Sequence, residues 1–393
     1  MKKTIRDLTL ADKRVFIRAD FNVPLDANGN ITDDTRIQKT LPTIRYVLAQ
    51  GGAVILASHL GRPKGEAQAK YSLKPVADRL SQLLGKPVQM APDCIGAATE
   101  AMAHRLQGGE ILLLENLRFH KEEEANDPQF SRALASLAEV GVNDAFGCCH
   151  RAHASVAGIT AFLPMAAGLL LAKEIQFIGG AVTQPAHPFA AIIGGAKVSD
   201  KIGVLANLLQ KVEVLMIGGG MANTFLAAQG LEIGTSLVEI DKIPFAASLL
   251  HRAEQAGVQV LLPTDVVVAE AVDNTAAYDV VSVQRVPSRH MILDIGPQTC
   301  KTFAARLQGM KLIVWNGPMG VFELSHFSHG TTAVARAVAA SQAVSIVGGG
   351  DSVAAVNQCG VAEHITHIST GGGASLAYLE GKDLPGIAAL QDA

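Results

Sequence analysis

Glycine clusters follow most of the short apolar segments in the second half of the sequence, where exposed backbone could bind phosphate. The clusters are Gly194-Gly195, Gly218–Gly220, Gly317, Gly348–Gly350 and Gly371–Gly373. A strand, a glycine turn and a helix in succession let backbone N–H groups approach phosphate oxygens at the positive end of the helix. A tight turn slightly better explains any single cluster, but several clusters after successive strands favour a phosphate-binding surface.

Two common nucleotide-binding motifs are absent. No GxxxxGK[ST] occurs, which argues against a P-loop protein, and no complete GxGxxG follows a first strand. The second absence argues against an NAD-dependent dehydrogenase.

Charged and polar side chains, rather than glycines, follow the apolar segments of the first half. They are Asp20, Asn22, His59, Arg62, Arg118, His150 and Arg151, with Arg18 and Arg36 nearby. Arginine matches phosphate and carboxylate groups with paired N–H donors. Arg36 could instead pair with Asp33 or Asp34, and Arg118 with Glu115, but five arginines near strand ends favour an anion site. Asp20 and Asn22 would then orient hydroxyl or carboxylate groups of the ligand.

Two lysines follow Gly194-Gly195 in the segment GGAKVSDK. Lys197 and Lys201 are four residues apart, so one face of a starting helix could carry both. Two ammonium groups there would neutralise phosphate oxygens. A solvated helix face with Asp200 as a partner is the alternative; the context favours binding for Lys197 and leaves Lys201 open.

Two acidic residues complete the candidate set in the second half. Asp351 follows Gly348–Gly350, where it could contact Mg²⁺ beside a phosphate or act as a helix N-cap. Glu323 could accept hydrogen bonds from a ribose, although it could equally be a surface charge.

Short Val/Ile/Leu-rich runs that alternate with helical segments must position these residues. The predicted strands are Arg14–Ala19, Ala53–Ala57, Val88–Met90, Ile111–Leu114, Gly141–Asn143, Ala190–Ile193, Val214–Ile217, Val258–Leu262, Leu312–Trp315, Val344–Val347 and Ile365–Ile368. Helices are predicted over Leu73–Leu84, Gln129–Ala138, Asp200–Leu209 and Thr331–Ala340. This alternation predicts an α/β fold with parallel sheets and crossover helices, whose ligands bind at the carboxyl ends of the strands.

The length of 393 residues favours two domains. The segment Gly168–Ala181 predicts one amphipathic helix, and a breaker-rich loop, Gln184–Pro188, follows it. The divide between the domains is therefore expected here.

Composition excludes several classes of protein. The net charge of −3 gives no basic excess for nucleic-acid binding, and no apolar run is long enough for a membrane span. The five cysteines, Cys94, Cys148, Cys149, Cys300 and Cys359, are odd in number and show no CxxC spacing, so neither a disulfide framework nor a zinc site is expected, and a reducing cytoplasm fits best. The adjacent Cys148 and Cys149 are expected to be two small buried thiols.

Read together, these segments resemble the phosphoglycerate kinase family of bacterial type. The matching motifs are RADFNVP (18–24), DDTRI (33–37), SHLGRP (58–63), LLENLRFHKEE (113–123), NDAFGCCHRAHAS (143–155), GGAKVSDKI (194–202), GGGMANTF (218–225), WNGPMGVFE (315–323), GGGDS (348–352) and STGGGAS (369–375). They span nearly the whole chain in the family's order.

The resemblance implies a bilobal α/β enzyme of two doubly wound, Rossmann-like domains joined by a hinge helix. Residues 1–168 would bind 3-phosphoglycerate, residues 169–183 would form the interdomain helix, and residues 184–382 would bind the nucleotide. Residues 383–393 would return to the first domain. The implied activity is reversible phosphoryl transfer from 1,3-bisphosphoglycerate to ADP in glycolysis and gluconeogenesis, in a cytoplasmic monomer.

The resemblance also implies roles for particular residues. The substrate site would contain Asp20, Asn22, Arg36, His59, Arg62, Arg118 and Arg151. The nucleotide site would contain Lys197, Lys201, Glu323, Gly349, Gly350, Asp351 and Ser352, with Mg²⁺ on Asp351. Arg36, Lys197 and the backbone of Gly371, Gly372 and Gly373 would meet the transferring phosphoryl group. The alternative is a non-catalytic protein that binds nucleotides or phosphometabolites on the same scaffold.

This sequence departs from the family's usual pattern at two places. Cys148-Cys149 stands where the family more often has Thr or Ser followed by Ala, and Ala377 stands where Glu is common. Neither place carries a residue to which the resemblance gives a chemical role.

Overall fold

In the computed structural model, which describes residues 1–393, the chain divides into two units. The first unit contains Met1–Gln176 and Asp383–Ala393, and the second contains Phe177–Lys382. None of the helices combines the length and apolar character that crossing a membrane requires.

A six-stranded parallel sheet forms the centre of the first unit. Its strands are β1 (Arg14–Arg18), β2 (Ala53–Ala57), β3 (Gln89–Met90), β4 (Ile111–Leu113), β5 (Val140–Asn143) and β6 (Met165–Ala167). They lie in the order β3-β4-β2-β1-β5-β6, and all neighbouring pairs are parallel. The central strands are apolar along most of their length because helices cover both faces of the sheet. The strand order reverses between β1 and β5, the place where doubly wound sheets bind ligands.

Helices surround this sheet. They are α1 (Thr35–Ala49), α2 (Lys74–Leu84), α3 (Ala97–Arg105), α4 (Lys121–Glu124), α5 (Pro128–Ala135) and α6 (Leu169–Glu174). Helix α1 shows how they pack: Ile37, Leu41, Ile44 and Val47 recur at helical spacing and are buried in the core beside β1 and β2. This packing fixes the first turn of α1, which carries Arg36.

Nine strands form two sheets in the second unit. They are β7 (Phe189–Ile193), β8 (Val214–Ile217), β9 (Gln259–Leu261), β10 (Asp265–Ala269), β11 (Tyr278–Ser282), β12 (Met291–Ile295), β13 (Leu312–Asn316), β14 (Val344–Gly348) and β15 (His367–Ile368). The larger sheet is parallel and has the order β15-β14-β13-β7-β8-β9, with its reversal between β7 and β13. The predicted α/β class with two doubly wound parallel sheets is therefore confirmed.

The smaller sheet is antiparallel, in the order β11-β10-β12. The sequence predicted only parallel sheets, so this sheet corrects that prediction. Strand β11 is almost entirely exposed, and polar residues interrupt its apolar run. It therefore lacks the buried, uniformly apolar character by which the other strands were predicted.

The helices of the second unit begin in several cases at a glycine cluster. They are α7 (Gly180–Thr183), α8 (Ile202–Leu208), α9 (Gly220–Ala228), α10 (Ile243–Gln255), α11 (Pro297–Leu307), α12 (His329–Ala339), α13 (Gly350–Gln358) and α14 (Gly373–Leu379). Helices α9, α13 and α14 start at the third glycine of their clusters, so each helix N-terminus is preceded by bare backbone.

The segment predicted as a single helix, Gly168–Ala181, is helical but not uniform. Between α6 and α7 lies a π-helical turn, Ile175–Gly179, and the boundary between the two units falls inside that turn. Such turns within helices often mark functional sites.

The last eleven residues, Asp383–Ala393, belong to the first unit and include the short helix α15 (Pro385–Ala388). The backbone N–H of Lys3 donates to the carbonyl of Gln391 at 2.8 Å, and the N–H of Gly386 donates to the carbonyl of Cys149 at 2.9 Å. Residues from both ends of the sequence thus complete one unit.

Candidate active site

The loop after β1 holds Asp20 and Asn22 at the carboxyl edge of the first sheet. The N–H of Phe21 donates to Ser58 Oγ at 2.8 Å, and the N–H of Gly61 donates to Asn22 Oδ1 at 2.8 Å. These bonds tie the loop after β1 to the loop after β2. The sequence-predicted residues Asp20, Asn22 and His59 are therefore brought together.

Arg36 joins this group through an ion pair with Asp20. Its Nη1 lies 2.8 Å from Asp20 Oδ2, and 39% of its side chain remains exposed. The alternative pairing with Asp33 or Asp34 is wrong. Asp33 Oδ1 accepts hydrogen bonds from the N–H and hydroxyl of Thr35, and Asp34 Oδ2 lies 2.7 Å from Nη2 of Arg79. Arg36 therefore keeps part of its guanidinium free for a ligand.

Arg118 lies on a 3-10 turn, Leu117–Phe119, directly after β4. Asn116 Oδ1 accepts a hydrogen bond from the N–H of Arg118 at 3.0 Å and so caps this turn. The Arg118 guanidinium donates from Nη1 to the carbonyl of Gly61 at 3.0 Å, and its Nε lies 3.3 Å from Glu124 Oε1. The alternative partner, Glu115, is wrong, because that carboxylate accepts hydrogen bonds from Ser72 Oγ and the N–H of Leu73.

His59 is buried among these arginines. Its Nδ1 lies 3.4 Å from Nη2 of Arg18. Burial, followed by the positive charges of Arg18, Arg118 and Arg36, holds the pKa of His59 well below its usual value. The imidazole is therefore neutral at neutral pH and can exchange hydrogen bonds with an anion without adding charge.

Arg18 does not belong to the ligand-facing set, contrary to the sequence interpretation. Its side chain has no exposed surface, its Nε donates to Ser155 Oγ at 2.7 Å, and its Nη2 lies 4.0 Å from Glu123 Oε1. Arg18 therefore has a structural role beneath the candidate site and does not face a ligand.

Arg62 and Arg151 are exposed and form no ion pair within the chain. Burial and then the charge of Arg151 lower the pKa of His150, whose Nδ1 is buried without a hydrogen-bond partner. Burial, with smaller contributions from the charges of Arg18 and Arg151, lowers the pKa of Arg118, while Glu124 opposes that shift. The electrostatic contacts among these groups show an excess of positive charge that an anionic ligand would neutralise.

The two adjacent cysteines near this surface are free, buried thiols, as the sequence predicted. Burial raises the pKa of Cys148 to about 11, with the Arg18 charge opposing it. Burial also raises the pKa of Cys149. Both thiols are therefore protonated and unreactive at neutral pH.

In the second unit, the loops after β7 and β13 meet at the switch point of the larger sheet. The N–H of Gly194 donates to the carbonyl of Asn316 at 2.9 Å. Gly317 has φ = +100°, and a Cβ there would lie 2.2 Å from the carbonyl oxygen of Gly194. Glycine is needed here for close backbone packing, so the tight-turn interpretation holds for Gly317.

A cavity of about 350 Å³ opens beside these loops within the second unit. Its walls are mostly backbone and apolar side chains, namely Gly195, Ala196, Gly219, Gly220, Leu237, Val272, Met291, Ile292, Leu293, Pro318, Gly320 and Val321. Two exposed carboxylates, Glu323 and Asp351, also line it. An apolar slot with a few polar groups suits a flat aromatic ring attached to a polar, charged chain.

Lys201 and Asn316 form a buried polar pair near this cavity. The Nζ of Lys201 donates to Asn316 Oδ1, and burial lowers the pKa of Lys201 to about 8, while Asp200 and Asp351 oppose that shift. Asn316 Nδ2 is buried without a partner, and a Cβ on Gly349 would lie 3.1 Å from it. A buried N–H donor aimed at the glycine loop is expected to meet an anionic ligand.

The sequence analysis did not identify Asn316 as a functional residue. The feature that could have revealed it is an amide side chain at the carboxyl end of a strand, beside the reversal in strand order. That reversal is known only once the strands are paired.

Lys197 and Lys201 do not share a helix face, so that prediction is wrong. Lys197 is exposed and lies before the 3-10 turn Ser199–Lys201, whereas Lys201 is buried. The turn separates the two side chains into different environments.

The loop Gly349–Ser352 places its residues in distinct roles. Gly349 is the N-cap of α13 with φ = +90°, and Ser352 Oγ accepts a hydrogen bond from the N–H of Gly317 at 2.6 Å. Asp351 makes no capping bond, so the N-cap alternative is wrong for it. Its exposed carboxylate has the oxygen ligands that Mg²⁺ prefers.

The last glycine cluster forms the N-terminus of α14. Gly372 is the N-cap with φ = +49°, and the N–H of Gly371 donates to Ser369 Oγ at 3.2 Å. Gly372 and Gly373 are exposed. The cluster thus presents backbone to solvent, as its sequence suggested.

Comparison with known proteins supports the resemblance seen in the motifs. A family model described as phosphoglycerate kinase matches residues 5–382. The phosphoglycerate kinase of Moorella thermoacetica is 60% identical over 391 residues, which cover 100% of this chain and 99% of that protein. The phosphoglycerate kinase of Chloroflexus aggregans is 56% identical over 397 residues, with 100% and 99% covered.

Solved structures agree. The phosphoglycerate kinase of Coxiella burnetii has a TM-score of 0.91 at 43% identity, and that of Pyrococcus horikoshii has a TM-score of 0.85 at 33% identity. Each covers 99% of this chain and 98% of the solved chain. The resemblance and the assignment to phosphotransferase enzymes are therefore confirmed: the chain belongs to the phosphoglycerate kinase family.

Proposed function

We propose that this chain transfers a phosphoryl group between the acyl phosphate of 1,3-bisphosphoglycerate and ADP, giving 3-phosphoglycerate and ATP. The observation that carries the proposal is that each unit has its own candidate binding surface, of a different chemical kind. One unit gathers Asp20, Arg36, His59 and Arg118 around a positively charged loop cluster, and the other has a cavity with glycine-rich walls and two carboxylates.

The first unit binds the glycerate substrate in this proposal. Arg36, Arg62, Arg118 and Arg151 neutralise its phosphate and carboxylate, because guanidinium groups match both anions. Asp20 orients Arg36, and neutral His59 and Asn22 supply hydrogen bonds without changing the charge balance. Four cationic side chains suit a ligand that carries both a phosphate and a carboxylate.

The second unit binds the nucleotide. The apolar cavity takes the base, and the Glu323 carboxylate on its wall accepts hydrogen bonds from the ribose. Lys201, Asn316 and the N–H groups of Gly349, Gly350 and Ser352 meet the phosphates. Lys197, which is exposed, is free to contact the terminal phosphate.

Mg²⁺ fits the residues at the edge of this cavity. Asp351 would hold it together with nucleotide phosphates, since Mg²⁺ is commonly bound by one or two carboxylates plus phosphate oxygens. The ion would reduce the negative charge on the phosphates.

The proposed phosphoryl transfer does not depend on general acid–base catalysis. The attacking carboxylate is already ionised at neutral pH, so it needs no general base. Catalysis then consists of alignment and of stabilising charge on the moving phosphoryl oxygens. Arg36, Lys197 and the exposed backbone of Gly372 and Gly373, held by the bond from the Gly371 N–H to Ser369 Oγ, are assigned to that task. It requires a closing motion of the protein that brings the two substrates in line and excludes water.

A coupled assay with 3-phosphoglycerate, Mg²⁺ and ATP tests the proposal. Arg36→Ala and Lys197→Ala are each expected to lower kcat by about a hundredfold or more, the usual effect of removing a donor to developing charge. Matched controls are Arg14→Ala and Lys242→Ala, which remove members of surface pairs with Glu139 and Asp241. Near-normal turnover in either test variant would contradict its assigned role.

The assay also separates the enzyme from the non-catalytic alternative. A protein that only senses nucleotide or phosphometabolite would bind both ligands, as measured by calorimetry, without turnover. The retention of Arg36, Lys197 and Asp351 favours the enzyme.

We propose further that the chain acts as a monomer in a reducing cytoplasm. All five cysteines are free thiols, which a reducing compartment would preserve. Sedimentation equilibrium of the purified protein tests the oligomeric state.

A further inference from the structure

Three side chains of metal-binding type meet in the first unit apart from the proposed glycerate site. They are Asp93, Cys94 and His120, and their ligand atoms all lie within 4.8 Å of one another. No role in phosphoryl transfer accounts for this cluster.

The parallel pairing of β3 with β4 brings the three residues together. Asp93 and Cys94 follow β3, and His120 follows the 3-10 turn after β4, so both segments leave the same edge of the sheet. His120 Nε2 lies 2.7 Å from Asp93 Oδ1, and the N–H of Cys94 donates to the same oxygen at 2.6 Å. The ring of His120 also packs against Phe130, with 5.4 Å between ring centroids. The cluster is therefore positioned by backbone pairing as well as by side-chain contacts.

The spacing suits a small tetrahedral cation. Zn²⁺ bonds of about 2.0–2.3 Å place neighbouring ligand atoms roughly 3.3–3.6 Å apart, so the three groups need to move by about 1 Å or less. Carboxylate, thiolate and imidazole are ligands of Zn²⁺ and similar ions, whereas Mg²⁺ takes oxygen ligands.

A cavity gives such a cation access. Pro92, Asp93, Glu115 and His120 help to line a cavity of about 520 Å³. The side chains of Asp93 and His120 are 43% and 26% exposed, while Cys94 is fully buried behind them. A cation entering from the cavity would meet the carboxylate and imidazole first and the sulfur last.

A second cluster of similar composition is much less suitable. Asp20, His59 and Cys148 also lie within 4.8 Å of one another. There, however, Arg18 Nη2 lies 3.4 Å from His59 Nδ1 and 3.6 Å from Cys148 Sγ, and Arg36 pairs with Asp20. Guanidinium groups occupy the positions that a cation would need.

A nucleophilic Cys-His-Asp arrangement is also disfavoured at Asp93, Cys94 and His120. Burial raises the pKa of the Cys94 thiol well above its usual value, and Asp93 and Glu123 raise it further. A thiol without exposed surface cannot attack a substrate.

We propose that Asp93, Cys94 and His120 form a binding site for a divalent cation of the Zn²⁺ class. A carboxylate oxygen, the sulfur and an imidazole nitrogen are the three protein ligands, and the fourth position opens to the cavity. On binding, the S–H bond breaks, the sulfur keeps the electron pair for the metal bond, and the proton leaves to solvent. None of these three residues has a role in the proposed phosphoryl transfer.

Titration of the full-length protein with Co²⁺ tests the site directly, because cobalt bound to thiolate gives a sulfur-to-metal charge-transfer absorption. One equivalent of Co²⁺ is expected to produce that band, and Zn²⁺ is expected to displace it. Cys94→Ser and His120→Asn should each abolish the band or weaken binding at least tenfold. Cys300→Ser, which alters a partly buried thiol of the second unit, should leave it unchanged.

The variants must be folded for the comparison to count, so circular dichroism and thermal melting accompany each titration. The partly exposed His120 tolerates replacement more readily than buried Cys94, and His120→Asn therefore carries the test if Cys94→Ser fails to fold. Zn²⁺ should raise the Tm of the unaltered protein but not of His120→Asn, because a ligand stabilises the state that binds it. Absence of the band in the unaltered protein, or unchanged Co²⁺ affinity in folded His120→Asn, would overturn the proposal.

Discussion

Asp20 Oδ2 accepts a hydrogen bond from Nη1 of Arg36 across 2.8 Å, and this ion pair joins the loop after β1 to the first turn of α1. The pair uses one edge of the guanidinium and leaves 39% of the Arg36 side chain exposed. Asp20 therefore orients Arg36 without burying it.

Replacing Asp20 by Asn should weaken catalysis by removing the charge that orients Arg36. Hydrogen bonds to charged groups contribute about 1.5–3 kcal/mol, and the exposure of Arg36 places the expected effect at the low end, about tenfold in kcat/KM. Steady-state kinetics with varied 3-phosphoglycerate would measure it. Asp241→Asn, at an exposed pair with Lys242, is the control. Equal kinetics in the two variants would show that Asp20 does not orient Arg36.

Nucleotide affinity should fall as the pH rises above about 8, because Lys201 then loses its proton in the free protein. A bound phosphate would raise the pKa of Lys201 and keep its ammonium group protonated. The dissociation constant for Mg-ADP should therefore rise by up to about tenfold per pH unit in this range. Calorimetric titrations between about pH 7 and pH 9.5 would reveal the slope. In Lys201→Met binding should be weaker throughout and the slope absent, whereas Lys242→Met should behave normally.

The same residue links stability to pH in the opposite direction. The folded pKa of about 8 lies below the ordinary 10.5, so between these values the unfolded chain holds more protons than the folded chain. The free energy of unfolding should therefore rise with pH across this window from this residue alone. Urea unfolding without nucleotide would detect the rise, and a Lys201→Met variant that kept it would refute the assignment to Lys201.

Removing the buried carboxylate of Glu123, beneath the proposed glycerate site, should lower stability far more than removing a carboxylate at the surface. Glu123 and Arg18 have no exposed surface, and Glu123 Oε2 also accepts from the N–H of Ser155 at 2.9 Å. Glu123→Gln leaves the Arg18 charge buried without its counterion, at an expected cost of about 3 kcal/mol. Glu139→Gln removes the partner of partly exposed Arg14 and should cost less than about 1 kcal/mol. Urea unfolding of the full-length variants would compare their free energies of unfolding. Similar losses in Glu123→Gln and Glu139→Gln would contradict the stabilising role of the buried Arg18–Glu123 pair.

Two glycines with similar backbone angles should differ sharply when replaced by alanine. Gly309 has φ = +80°, and a Cβ at this position would meet open space, so Gly309→Ala should cost only the left-handed strain of about 1–2 kcal/mol. At Gly317, φ is +100° and the Cβ would overlap the carbonyl oxygen of Gly194 at 2.2 Å. Gly317→Ala should therefore destabilise the second unit several times more and weaken ADP binding. Thermal melting and calorimetry would check both effects. Equal Tm values for Gly309→Ala and Gly317→Ala would contradict the close packing of Gly317 against the Gly194 carbonyl.

A strand or helix could be predicted from the sequence when neighbouring residues determine it, and not when distant residues do. The strands Ala53–Ala57 and Val214–Ile217 have the bounds that the sequence predicted, because strands buried on both faces are continuous apolar runs. The exposed strand Tyr278–Ser282 carries no such signal, since its pairing with Asp265–Ala269 stabilises it through backbone contacts.

In the candidate site, too, the sequence could indicate individual residues but not the side chains with which they pair. Residue types at strand ends revealed Arg36 and Arg118, but not their partners. Glu115 and Glu124 both lie within seven residues of Arg118 in the sequence, and only the fold selects Glu124. Arg18 was misassigned because Ser155, its hydrogen-bond acceptor, lies 137 residues away along the chain.

The inclusion of Asp383–Ala393 in the first unit has a consequence for biosynthesis. A ribosome makes Met1–Gln176 early, yet the carbonyl of Gln391 that accepts the N–H of Lys3 emerges only with the final codons. The unit translated first is therefore finished last, and its contacts near Lys3 and Cys149 cannot form until the whole second unit has been translated.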